Sequence, residues 1–118
     1  MQSTSEKPSN VEITNNIVAE IPPEPFLNIS LTKTKYHKGN IIKAKLSFFG
    51  LHIGETIWIG IFDPNKEEIV TKRLEVKESQ GKVSINLTTI GNWDKGNYVV
   101  KTDTQFGPEA STRFELVK

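Results

Sequence analysis

From Phe26 to the end of the chain, apolar residues recur at every second position, and no stretch shows the three- and four-residue spacing of a helix. A period of two sends alternate side chains to opposite faces of an extended strand, so each run has one face for a core and one for water. Leu27, Ile29 and Leu31 alternate with Asn28, Ser30 and Thr32, and Ile42, Ala44, Leu46 and Phe48 alternate with lysines and serine. Val83, Ile85 and Leu87 do the same against Ser84 and Asn86, as do Tyr98, Val100 and Thr102 against Asn97, Lys101 and Asp103. The last run sets Thr112, Phe114 and Leu116 against Arg113 and Glu115. Thr56 to Phe62 is apolar on both faces, which predicts a central strand, and the irregular Ile69 to Val76 stretch predicts an edge or a bulge.

Turn chemistry falls between these runs, at His37-Lys38-Gly39-Asn40, Gly50 to Gly54, Asp63-Pro64-Asn65-Lys66, Ser79-Gln80-Gly81, Gly91 to Gly96 and Gly107-Pro108. Seven short strands result, at the spacing expected of an all-β antiparallel β-sandwich; a barrel is the second choice. Residues 1–25 differ in kind. Ser, Thr, Asn and Glu dominate there and Pro8, Pro22, Pro23 and Pro25 punctuate, which reads as a polar N-terminal tail or linker ahead of a domain at 26–118. Within it Val11, Ile13, Ile17, Val18 and Ile21 are apolar, and Val11 and Ile13 alternate with Glu12 and Thr14, so this segment has what a donated strand would need.

At 118 residues the chain has room for one compact core. Fifteen basic against fourteen acidic side chains leave a net charge of +1, with lysines scattered among glutamates, so no cationic patch for nucleic acid or anionic lipid is visible. The absence of cysteine excludes a disulfide framework, a thiolate zinc site and cysteine catalysis together. No apolar run approaches the ~20 residues of a membrane span, and Met1 to Asn10 is polar without a signal region. Either the protein stays in the cytosol, or its export signal or anchor lies outside this sequence. The end at Lys118, directly after a strand, reads as a domain cut from something larger.

One stretch resembles a known family. Asp94-Lys95-Gly96-Asn97-Tyr98-Val99-Val100 is similar to the Asp-x-Gly-x-Tyr-x-Cys signature of immunoglobulin domains, with Val100 in the cysteine position. The resemblance implies a tyrosine corner, in which Gly96 permits a tight entry into the strand and the Tyr98 hydroxyl bonds back to main chain in the preceding loop. More widely, Tyr36-x-x-Gly39, Ile57-x-Ile59-x-Ile61-x-Asp63-Pro64, Trp93-x-x-Gly96-x-Tyr98-x-Val100 and Ala110-x-x-x-Phe114-x-Leu116 resemble the disulfide-free immunoglobulin-like modules of archaeal and bacterial cell-surface proteins and the macroglobulin-type domains related to them. This implies an extracellular stalk, lattice or adhesion module, of archaeal origin in the narrower form, whose partners are neighbouring domains or copies of itself.

Catalytic and metal chemistry find no support. Asp63, Asn65 and Glu67 have the alternate spacing of calcium ligands, but Lys66 occupies the turn position and no bidentate glutamate follows; an Asp-Pro-Asn turn needs these residues for backbone reasons. His37 and His52 have no second ligand at chelating spacing, and no Gly-x-Ser-x-Gly elbow exists. Glu67-Glu68 is a solvated turn, and no cofactor motif is present. Asn28-Ile29-Ser30 and Asn86-Leu87-Thr88 are sequons whose asparagines fall on the outer phase of their strands, so Asn28 and Asn86 are candidates for a glycan if the protein is exported. Trp58 is either the core tryptophan of the third strand or, if Ile57, Ile59 and Ile61 face the core, an outward aromatic beside Phe62 and Val99. Three β-branched residues fill a sheet interior better than Trp58, Gly60 and Phe62, which favours the outward reading and an interaction surface. The function expected is a non-enzymatic surface module. The alternatives are a filament or lattice subunit polymerising through the tail, or a carbohydrate-binding accessory domain using the same aromatics.

Overall fold

The computed structural model describes residues 24–105 and 107–118. Among the described residues eight strands form, and no helix: β1 (Phe26–Leu31), β2 (Lys35–Tyr36), β3 (Ile41–Phe49), β4 (Thr56–Phe62), β5 (Glu68–Glu75), β6 (Gly81–Thr89), β7 (Gly96–Thr104) and β8 (Glu109–Leu116). Seven coincide with the runs read from sequence, five of them alternating, one apolar on both faces and one irregular. The eighth, β2, is two residues long and carries no periodicity from which to read it. A three-stranded sheet has the order β1-β3-β6 and a five-stranded sheet the order β2-β8-β7-β4-β5. Every pairing is antiparallel except that of β2 with β8, which is parallel.

The two sheets bury the rows that the alternation marks. Leu27 and Ile29 of β1 and Ile42, Ala44, Leu46 and Phe48 of β3 face Ile57, Ile59 and Ile61 of β4, Tyr98 and Val100 of β7, and Phe114 and Leu116 of β8. Each fully buried aliphatic side chain stabilises such a core by about 1.5–3 kcal/mol relative to exposure. Thr102, on the same inward row of β7, donates its hydroxyl to the Trp58 carbonyl at 2.9 Å and so enters the core satisfied. β4 lies between β7 and β5, the central position its two apolar faces require. β5 is an edge strand, with a register shift opposite Ile61 and Phe62, and Lys72 stands on its inward row across from Ile59. A charge pointing inward on an edge is a known guard against further pairing.

One expectation needs correcting. Val83 and Ile85 lie on the inward row of β6, paired with Leu46 and Ala44. Only Leu87 is buried, however; Ile85 is half-covered and Val83 is 38% exposed. Among the described residues the three-stranded sheet stops at β6, while the opposite sheet continues one strand further to β5, with which β6 makes little contact. That side of the sandwich is open, whereas on the other side β1 packs across onto β8.

Candidate functional site

Because Ile57, Ile59 and Ile61 take the inner face of β4, Trp58, Gly60 and Phe62 take the outer one. Trp58 is 38% exposed and Phe62 half-buried. Register brings Val99, Lys101 and Asp103 of β7 opposite Phe62, Gly60 and Trp58, and sets Arg73 of β5 against Trp58 from the other side. The Arg73 guanidinium lies 5.4 Å from the Trp58 ring centre and the Lys101 ammonium 5.0 Å from that of Phe62. Each cation–π contact contributes about 0.5–1 kcal/mol at a site this open. A Cβ at Gly60, between the rings, would sit 2.5 Å from a Glu68 carboxylate oxygen and so displace that exposed side chain from its hydrogen bond with the Thr71 hydroxyl at 2.8 Å. The result is one patch in which two aromatic rings are each flanked by a cation, with Asp103 and Glu68 alongside.

The end of the sandwich at β7 is closed by aromatic stacking. Trp93 stacks on Tyr98 at 5.5 Å, Tyr98 on Phe114 at 5.2 Å, and Phe114 meets the edge of Tyr36 at 5.2 Å. The Tyr98 hydroxyl donates to the main-chain carbonyl of Asp94, four residues back. Burial pushes the Tyr98 phenol above its ordinary value of 10.0, and the carboxylates of Asp94 and Asp63 push it further the same way. A raised folded-state value means the fold holds the proton more tightly than the unfolded chain does. That contribution is complete below about pH 10 and is lost as pH rises through the raised value. Replacing Tyr98 with Phe is expected to cost about 1 kcal/mol, the net worth of one hydrogen bond. The Tyr98→Phe chain should also lose part of the alkaline fall in melting temperature that the parent shows; identical profiles would separate Tyr98 from the closure.

The remaining candidates have ordinary roles or lie elsewhere. Asp63 Oδ1 accepts from the amides of Asn65 and Glu67, both at 2.9 Å, and Lys66 takes a left-handed φ of 69°, so these residues build the β4–β5 turn. Among the described residues no group of three or more metal-ligating side chains comes together. Asn28 and Asn86 are exposed on the outer face of the three-stranded sheet, with Lys43, Lys45 and Lys82 around them. The His37 amide donates to Asn40 and the His52 amide to the buried Glu55, which ties the β3–β4 loop. Val11, Ile13, Ile17, Val18 and Ile21 fall outside the described residues. The cations over Trp58 and Phe62 were not foreseen from sequence, since 15 residues separate Arg73 from Trp58 and only the strand register joins them.

No protein-family model matches the sequence, and no curated protein matches it. Solved structures do share the architecture. A tetra-tandem repeat from the extending region of a large adhesion protein superimposes with a TM-score of 0.63 at 16% identity over 80% of this chain, which spans 24% of that longer chain. The CARDB domain of a Pyrococcus furiosus protein, solved in complex with di-metal ions, gives 0.54 at 11% identity over 80% of this chain and 94% of its own. The fold is an immunoglobulin-like β-sandwich. At these identities the likeness carries the fold alone, and on an immunoglobulin-like frame function must be argued from surfaces.

Proposed function

We propose that this chain is a non-enzymatic structural or adhesion module of a prokaryotic cell-surface protein, archaeal in the narrower form, which meets a neighbouring domain or copy through Trp58, Phe62 and Val99. The observation that carries it is an exposed tryptophan on the outer face of the five-stranded sheet with Arg73 over its ring, and further along the same strand Phe62 beside Val99 with Lys101 over its ring. Contact surfaces are enriched in Trp and Arg, which combine apolar area with charge that a partner's carboxylates can answer. The likeness to an adhesion-protein repeat supports the same class of role. Sugar binding through these rings is the weaker alternative, because stacking a sugar on either ring would compete with the cation beside it.

Oxidative footprinting tests this. Trp58 should label readily in the isolated chain and several-fold less in intact cell envelopes, with the half-buried Trp93 as internal standard. Equal labelling in both settings would show an uncovered face, and a chain that escapes a membrane-impermeant label on intact cells would end the surface reading.

A further inference from the structure

The open side between β5 and β6 has the form of a vacant strand position. Among the described residues nothing pairs with the outer edge of β6, and a strand added there would face the uncovered inner row of β5, Val70 and Leu74. A groove of about 320 Å³ lies at one end of it, where the chain passes from β5 to β6, lined by Phe48, Ile57, Leu74, Val76 and the exposed Val83 together with charged residues of the connection such as Lys77 and Glu78. Of the two edges that border this side, β5 carries the inward Lys72, while the inward row of β6 is wholly apolar: Val83, Ile85 and Leu87.

The chain carries a segment of matching pattern. From residue 11 to 21 the odd positions are Val11, Ile13, Asn15, Ile17, Ala19 and Ile21, five of six apolar, and the even ones include Glu12, Thr14, Asn16 and Glu20. Five of the apolar residues in it are β-branched, which favours a strand over a helix. Paired to β6 with its odd row inward, the segment would place Glu12 and Glu20 on the outer face, where Lys43, Lys45 and Lys82 stand. The charges are complementary.

We propose that residues 11–21 of one copy complete the three-stranded sheet of a second copy by pairing with its β6. A short, stiff linker weighs against the same chain. The vacant position lies three strand spacings from β1, about 14 Å. Ile21 is joined to Phe26 by Pro22-Pro23-Glu24-Pro25, five residue steps that span about 15 Å when extended, which leaves almost nothing for a return path around β3 and β6. Proline also keeps the residue before it extended, so the two sharp corners needed to fold back fall where turning is hardest. Pro25 stays in line with β1, opposite Gly50 just past the end of β3.

Complementation with full-length chains tests the assignment. Light scattering from micromolar to millimolar concentration should show the parent's average mass climbing beyond a dimer. Ile17→Asp leaves the acceptor edge intact and Val83→Asp leaves the donor intact, so each should remain a monomer alone and an equimolar mixture should stop at dimers. Val83 is exposed, so both variants should keep the parent's β circular-dichroism spectrum. A parent that stays monomeric throughout overturns the proposal, with a melting point lowered by Ile17→Asp then indicating pairing within one chain. Multimers that survive either aspartate, or variants that do not complement, overturn it in favour of a contact elsewhere.

Discussion

Replacing Phe114 with alanine is expected to lower the unfolding free energy by about 3–5 kcal/mol, the range for truncating a buried aromatic. A domain of this size holds about 5–15 kcal/mol in total, so this one change removes a large share of it. The size follows from position. Phe114 is 2% exposed, lies flat against Tyr98 and edge-on to Tyr36, and stands on β8, which pairs with β7 on one side and β2 on the other. Tyr98 is held by its bond to Asp94 and Tyr36 by the short β2 pairing, so neither ring can move in to fill the space. Equilibrium urea unfolding with an unchanged slope would read the loss directly; a change below about 1 kcal/mol would mean that the cavity collapses and that the aromatic row is not a rigid unit.

The second large effect is expected from Gly96→Ala, at about 1–3 kcal/mol for the backbone alone. Gly96 has φ of 144°, a region nearly closed to residues with a Cβ, and a Cβ placed there would lie 2.9 Å from the Pro64 ring in the β4–β5 turn. Two costs therefore add, and they can be separated. Removing the ring in the double variant Gly96→Ala, Pro64→Ala should recover the steric part and leave the backbone part, giving a coupling that a double-mutant cycle reads as a shift in urea midpoint. Gly91→Ala is the control, because nothing lies within 4 Å of a Cβ there. If the two single glycine variants melt together, the tight entry into β7 is not needed for closure.

Alternation was enough to mark which face of each strand turns inward, since the pleat leaves no other choice: Ile57, Ile59 and Ile61 inward puts Trp58 outward. Tyr98 was legible because a corner is local, its hydroxyl reaching main chain only four residues away. What lies opposite a strand is not local. Val83 has the same pattern as Leu46, yet one is exposed and the other buried, because the sheets differ in width and no residue near Val83 encodes that. The ring-and-cation pairs on the outer face depend on the register of β4 against β5 and β7, and β2 is too short to repeat. Sequence thus marks orientation and local closure, and leaves coverage and lateral neighbours to the assembled sheets.

The parallel pair of β2 and β8 has a mechanical consequence. The amides of Glu115 and Val117 donate to the carbonyls of Thr34 and Tyr36, both at 2.9 Å, near the two ends of the folded chain. When opposite ends of a protein are pulled apart, parallel neighbours slide lengthwise past each other, so bonds that cross between them are strained simultaneously. An antiparallel pair pulled at its open end would unzip one bond at a time. Tension leaving through Lys118 meets this two-residue clamp first, while tension entering at Phe26 loads β1 ahead of it, and Tyr36, fully buried beneath the clamp, must leave its socket for the clamp to slip.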